Sequence, residues 1–199
     1  MVLKSYAKLN LSLSVNKKLK NGLHNIQSIY CLIDIYDKIF IKKSKYKNSD
    51  QIVFTGPFSK DVNESNNSVK KVLDLMRKNK LINDYYSVKV IKKIPVFAGF
   101  GGGTSNAASI LKYLAKKKYN KKIFDKIVNE VGSDLRLFSH SLGYQKNLKF
   151  VIPMKKKYKL YFLLVFPKIK SSTKSVYSKI KKFSKLKFFL KKNSYSRED

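Results

Sequence analysis

The stretch PVFAGFGGGTSNAAS, Pro95 to Ser109, decides the reading of this 199-residue chain. Ahead of it, Tyr86, Val88 and Val90 alternate with Ser87 and Lys89, the period of a half-buried strand. Behind it, Ala107, Ile110, Leu111 and Leu114 recur at i, i+3, i+4 and i+7, one apolar face of a helix. Between strand and helix lie Gly99, Gly101, Gly102 and Gly103, then Thr104 and Ser105. Glycines there allow positive φ and let a bulky anion approach the backbone. A helix beginning near Ser105 turns its unpaired N–H groups and positive dipole end toward that anion. The preferred reading is a phosphate cradle; an inert turn is the alternative. The loop is not a P-loop, since no lysine follows Gly103, and Gly99, Gly101 and Thr104 break the dinucleotide fingerprint, with no βαβ unit around them.

Working outward, composition sets the class. The length fits one ordinary domain, or one with a small second domain, and 43% hydrophobic residues can build a core. Cys31 is the only cysteine, which excludes an internal disulfide and suggests a reducing compartment. The first residues alternate instead of forming the apolar block of a signal peptide. The longest apolar run, Leu160 to Phe166, is far short of the roughly 20 residues of a membrane helix. A soluble, cytoplasmic protein with no membrane partner is expected. The net charge of +32 invites a nucleic-acid reading. The cations are almost all lysine, with only Arg77, Arg136 and Arg197 as arginine, and they are spread from Lys4 to Lys192. Bidentate phosphate or base recognition favours arginine, so nucleic-acid binding is the lesser reading.

Along the chain, Ala7, Leu9, Leu11, Leu13 and Val15 predict a strand with that face buried and with Lys8 and Asn10 on the other. Asn21-Gly22 marks a turn, and His24 follows it. Paired strands are expected over Ile26 to Ile41, with Asp34 and Asp37 between apolar residues, and another strand over Gln51 to Thr55. Asn66, Asn67 or Ser68 caps a helix whose apolar face is Val69, Val72, Leu73 and Met76. A later helix buries Phe124, Ile127, Val128 and Val131, and stops at Gly132, ahead of Asp134. Leu160 to Phe166 predicts a strand buried on both faces. The polar Ser171 to Thr173 precedes Val176 and Tyr177. HExxH, paired Cys/His spacings and GxSxG are absent, which removes metalloprotease, structural-zinc and serine-hydrolase readings.

Taken in series, these segments resemble the GHMP small-molecule kinases. That family opens with Pro-Ala-Lys-x-Asn-Leu, matched here by Tyr6-Ala7-Lys8-Leu9-Asn10-Leu11. Its Gly-Tyr-His turn corresponds to Gly22-Leu23-His24, and its glycine-rich ATP loop to PVFAGFGGGTSNAA. Its Gly-Ala-Asp-Val-Pro-Phe-Phe segment corresponds to Gly132 through Phe138, and a later stretch to Pro167, Thr173, Val176 and Tyr177. The resemblance runs from Ala7 to about Tyr177.

It implies an α+β protein of the GHMP kinase fold. A ribosomal-protein-S5-domain-2-like, ATP-binding domain would span 1–155, and 156–199 would open a truncated ferredoxin-like domain. It implies ATP-dependent phosphorylation of the 2-hydroxyl of a cytidine diphosphate-linked methylerythritol, with ATP and Mg²⁺ as cofactors. ATP would meet Pro95, Ala98, Gly99, Gly101, Gly102, Gly103, Thr104, Ser105 and Asn106. Asp134 would take the hydroxyl proton and Lys8 would hold Asp134 ionised. Asn10, His24, Thr173 and Tyr177 would bind the substrate, His24 at the cytosine edge and Tyr177 stacked on the base. The metal's ligands and the choice between monomer and homodimer stay open. Leu23 stands where the family has an aromatic, Arg136 where it has a proline, and the family's third, glycine-rich motif has no counterpart. Other GHMP kinases acting on homoserine or mevalonate, and an inactive remnant, are the alternatives.

Overall fold

Two long strands form the spine of the computed structural model, which describes residues 1–46, 48–116, 119–155, 159–167 and 173–184, less the side chains of 173–175. Strand β1 (Val2–Lys18) and strand β2 (His24–Lys43) pair antiparallel, from Val2 opposite Phe40 to Lys18 opposite His24. The turn between them is the expected one, with Asn21 Oδ1 accepting from Leu23 N at 3.2 Å. The two strands expected over Ile26 to Ile41 are a single strand, since no glycine or proline interrupts His24 to Lys43.

The second edge of β2 is shared. Lys38 to Lys43 pair antiparallel with β4 (Tyr86–Ile91), and Ser28 to Cys31 with β5 (Leu142–Gln145), which pairs with β6 (Val151–Pro153). Strand β3 (Gln51–Thr55) runs parallel to β4, and helix α1 (Ser68–Lys78) crosses between them. The sheet order is β3-β4-β2-β5-β6, with β1 on β2. This α+β sheet carries helices α1, α2 (Gly102–Ala115) and α3 (Lys121–Val131), a 3-10 segment over Ser133–Ser139 and a short α4 (Thr173–Ser178).

Side-chain chemistry sets the helix starts. Asn67 is the cap of α1, accepting from Lys70 N at 2.9 Å, and Asn120 caps α3, accepting from Ile123 N at 3.0 Å. Val69, Val72, Leu73 and Met76 of α1 join Ala107, Ile110 and Leu111 of α2 over Ile39, Ile41, Val88 and Val90 of the sheet. Ile127 and Val128 of α3 complete that core. Burial of one such side chain stabilises by about 1.5–3 kcal/mol. The core therefore fixes α2, and with it the glycine loop, against the sheet.

Three expectations are corrected. Along β1, Ala7 is buried as expected, but Leu11 and Leu13 are 40% and 42% exposed while Lys8 is buried. Register shifts at Tyr6/Ala7 and Asn10/Ser12 turn the strand over, because a one-residue slip exchanges its faces. Helix α2 begins at Gly102, so Gly102 and Gly103 belong to its first turn instead of preceding it. Leu160 to Phe166 is neither strand nor buried, with Leu163 92% and Val165 82% exposed. A strand needs a neighbour to take its N–H and C=O groups, and no described strand pairs with this run. Among the described residues no helix is long and apolar enough to cross a membrane.

Candidate active site

Helix α2 starts unlike the other two long helices. Its N-cap is Gly101 at φ 68°, and no side chain caps it. Glycine suits position 101 on two counts: positive φ is costly for a residue with a Cβ, and that Cβ would stand 3.0 Å from Phe138 Cζ. Phe97 and Gly99 also take positive φ, so the loop turns sharply before the helix. The first amides of a helix have no intrahelical acceptor, and here Ser105 N is the first to find one, Gly101 O at 2.8 Å. The amides from Gly101 to Thr104 are thus the donors available to an anion, with the positive end of the helix behind them.

The loop is bonded to the strand that carries Lys8. Lys8 N donates to Phe100 O at 3.0 Å, and Lys8 Cε lies 3.8 Å from the point where a Gly101 Cβ would be. At the end of that side chain, Lys8 Nζ is 3.5 Å from Asp134 Oδ2 and donates to Asn10 Oδ1 at 3.3 Å. Asn10 Oδ1 also accepts from Ser28 Oγ at 3.1 Å, which ties it to β2. Lys8 is buried, whereas the Asp134 side chain is 37% exposed. A buried amine thus presents a reachable carboxylate beside the glycine loop.

Asp134 is delivered by the 3-10 segment after α3. Gly132 ends α3 with φ 144° and its N–H on Val128 O at 2.8 Å. Arg136 then ion-pairs with Asp125 of α3 at 2.8 Å and lies over the Phe124 ring at 5.4 Å. Arg136 therefore anchors the segment to α3.

At the far end of the β1–β2 hairpin stands an aromatic group. His24 and Tyr177 stack, ring centroids 5.3 Å apart and 18° from parallel, and Phe183 lies 6.2 Å from His24. The segment carrying Phe183 is held on β1, because Ser184 N donates to Val15 O at 2.8 Å. Burial pushes the Tyr177 phenol above its ordinary range, and the negative charge of Asp134 adds to that.

Most of the expected site residues converge. Lys8, Asn10, Asp134 and Gly101 to Thr104 share one region, and His24 and Tyr177 share another, at the turn end of the hairpin. Pro95, Ala98 and Gly99 lie on the turn leading into it. Ser105 and Asn106 are buried, with Ser105 Oγ donating to Tyr6 O at 2.7 Å and Asn106 Nδ2 to Asp37 Oδ2 at 3.0 Å. Their side chains thus face inward and brace the loop. The Thr173 side chain lies outside the described residues. Phe183, Asp37 and Lys92 are not legible in the sequence, which presents each as one more aromatic, acid or lysine; only the long-range contacts single them out.

Comparison with known proteins fits this geometry. Residues 67–140 match the model of the GHMP kinases N terminal domain, which spans α1, the glycine loop and Asp134. A relative from Pelagibacter ubique named 4-diphosphocytidyl-2-C-methyl-D-erythritol kinase is 41% identical over 191 residues, covering 94% of this chain and 67% of that protein. A relative of the same name from Ureaplasma parvum is 33% identical over 185 residues, covering 90% of this chain and 69% of that protein. Among solved structures, a 4-(cytidine 5'-diphospho)-2C-methyl-D-erythritol kinase superposes with TM-score 0.54 at 21% identity, over 74% of this chain and 54% of that one. Methanococcus jannaschii mevalonate kinase gives 0.53 at 15% identity, over 79% and 56%. These two likenesses show the fold. The chain spans about two thirds of the length of the curated relatives and about half of the solved chains. On identity and coverage together, the chain belongs to the 4-diphosphocytidyl-2-C-methyl-D-erythritol kinase family, within the GHMP kinases.

Proposed function

We propose that this chain transfers the terminal phosphoryl group of ATP to the 2-hydroxyl of 4-diphosphocytidyl-2-C-methyl-D-erythritol. The observation that carries the proposal is the Lys8–Asp134 pair, 3.5 Å apart beside the uncapped start of α2. Phosphoryl transfer asks a protein for positioning and for positive charge around the moving group. The amides of Gly101 to Thr104 receive the polyphosphate, and the dipole of α2 adds to their field. Asp134 accepts the proton of the attacking hydroxyl, or holds that hydroxyl in line. Lys8 holds the carboxylate in place through their ion pair and faces the charge that develops on the transferred group. Asn10 bonds the alcohol, while His24 and Tyr177 hold the cytosine by edge and face.

Mg²⁺ would spread the charge of the phosphates. Among the described residues no three of His, Cys, Asp or Glu cluster as a metal cage. Such an ion is ordinarily carried in large part by the phosphate oxygens themselves. The same reading assigns residues 1–155 to the ATP-binding domain and those from 156 to the start of a second one.

The test is transfer of labelled phosphate from ATP to the cytidine diphosphate-linked alcohol by the 199-residue chain and its Asp134→Asn variant. The expected result is transfer by the first and a loss of about 100-fold or more by the second, with nucleotide binding kept. Transfer at an undiminished rate by the variant would remove Asp134 from the mechanism. Homoserine and mevalonate in the same assay check the substrate.

A further inference from the structure

Beneath the first turn of α2 lies an ion pair that the mechanism above does not use. Lys92, at the end of β4, and Asp37, on β2, are 2% and 0% exposed and joined directly, Nζ to Oδ2. Asp37 is fully occupied. Its Oδ1 accepts from Lys93 N at 2.7 Å and Ile94 N at 2.9 Å, and its Oδ2 accepts from Asn106 Nδ2 at 3.0 Å as well as from Lys92. Lys92 Nζ also donates to Asn106 Oδ1 at 3.3 Å. Asn106 continues the chain of bonds to Ser5 Oγ at 3.0 Å, and Ser5 to Ser105 Oγ at 2.8 Å. One carboxylate thereby binds β2, the approach to the glycine loop, α2 and the strand bearing Lys8.

Its position matters more than its strength. Lys92 Nζ lies 3.2 Å from where a Gly102 Cβ would stand, so the ammonium abuts the first residue of α2. Taking two such charges out of water is costly, and well-packed apolar residues of the same volume often stabilise a fold as well or better. Stability alone gives little reason for a full charge pair there. An apolar pair would lack a cation fixed under amides that receive an anion.

Resting on the reading of this loop as the nucleotide site, we infer that Lys92, held by Asp37, is a positioning residue for the nucleotide's polyphosphate. It sets the path of the chain at Gly102 and places the positive end of the buried pair behind the phosphate-binding amides without touching the acceptor alcohol.

The experiment compares the full chain with the double variant Asp37→Asn/Lys92→Met, which removes both charges. The introduced amide keeps an oxygen for the Lys93 and Ile94 N–H groups, and methionine nearly keeps the lysine volume. Binding of Mg²⁺-adenylyl imidodiphosphate is measured by calorimetry without acceptor, and binding of cytidine monophosphate is measured alongside. The inference expects at least tenfold weaker binding of the ATP analogue, cytidine monophosphate binding within twofold, and a cooperative melt retained. Analogue binding within twofold of the unaltered chain overturns it. Should the double variant fail to fold, the Lys92 ammonium nitrogen resonance of the unaltered chain decides. It is expected to shift on adding the analogue and not on adding cytidine monophosphate; a stationary resonance overturns the inference. A chain that binds the analogue but transfers no phosphate sinks the proposed reaction and leaves this inference standing.

Discussion

Lys8 Nζ and Asp134 Oδ2 stand 3.5 Å apart although 126 positions separate the residues in the chain. The first comes from an edge strand and the second from a 3-10 segment, and the glycine loop meets both. Removing the amine leaves the carboxylate in place with its partner gone. Lys8→Met is therefore expected to lower kcat by about 100-fold or more, on the scale of losing one electrostatic contact to a transition state. The KM for ATP is expected to change by less than threefold. A proportionate loss in ATP binding with kcat kept would assign Lys8 to ground-state binding instead.

Gly101 offers a backbone test of the cradle. Gly101→Ala forces a Cβ onto a residue at φ 68° and toward Phe138 at 3.0 Å. Strain of this kind costs about 1–2 kcal/mol, and the amides it displaces are those assigned to the polyphosphate. A lower melting temperature together with a rise in ATP KM is expected. A variant that melts lower but keeps its ATP KM would show that the amides do not contact the nucleotide.

His140 gives a pH dependence with a definite sign. Burial and the neighbouring Lys112 charge depress its imidazole below the ordinary histidine value of 6.5. The unfolded chain therefore takes up its proton first as pH falls. The stability linked to His140 is fully present above about pH 6.5 and is lost as pH drops through the folded value. Chemical denaturation between pH 7.5 and pH 4.5 is expected to show a steeper loss for the unaltered chain than for His140→Gln. Equal slopes would remove His140 from the acid response.

The ring group at His24 predicts which residues read the base. Phe183, 6.2 Å from His24, is expected to assist Tyr177, since one ring–base stacking contact contributes about 1–3 kcal/mol. Phe183→Ala should raise the KM for the cytidine diphosphate substrate severalfold and leave that for ATP alone, and Phe183→Tyr should restore it. An unchanged substrate KM in Phe183→Ala excludes the ring from the site.

The exposed run from Leu160 to Phe166 predicts poor behaviour of the chain in isolation. Leu163 and Val165 are 92% and 82% exposed within an unpaired apolar stretch, the composition of an aggregation site. Leu163→Lys with Val165→Lys is expected to raise the monodisperse fraction in light scattering without moving the melting temperature. A drop in melting temperature would mean that these side chains are buried in solution.

Periodicity along the chain determined what periodicity can. The helix faces of α1 and α3, a cap for α1 among Asn66, Asn67 and Ser68, the Asn21-Gly22 turn and the strand–glycine–helix order at Pro95 to Ser109 are local patterns, and the structure contains them, with Asn67 as the cap. The family likeness of the segments around them singles out Lys8 and Asp134. Tertiary structure decided the rest, because it depends on pairing and on what lies across a gap. Bulges in β1 turned Leu11 and Leu13 outward and Lys8 inward, and Leu160 to Phe166 found no strand to pair with. A lysine in a chain with 44 basic residues carries no mark of being buried. Lys92 differs from the others only because Asp37, 55 positions away, meets it under the start of α2.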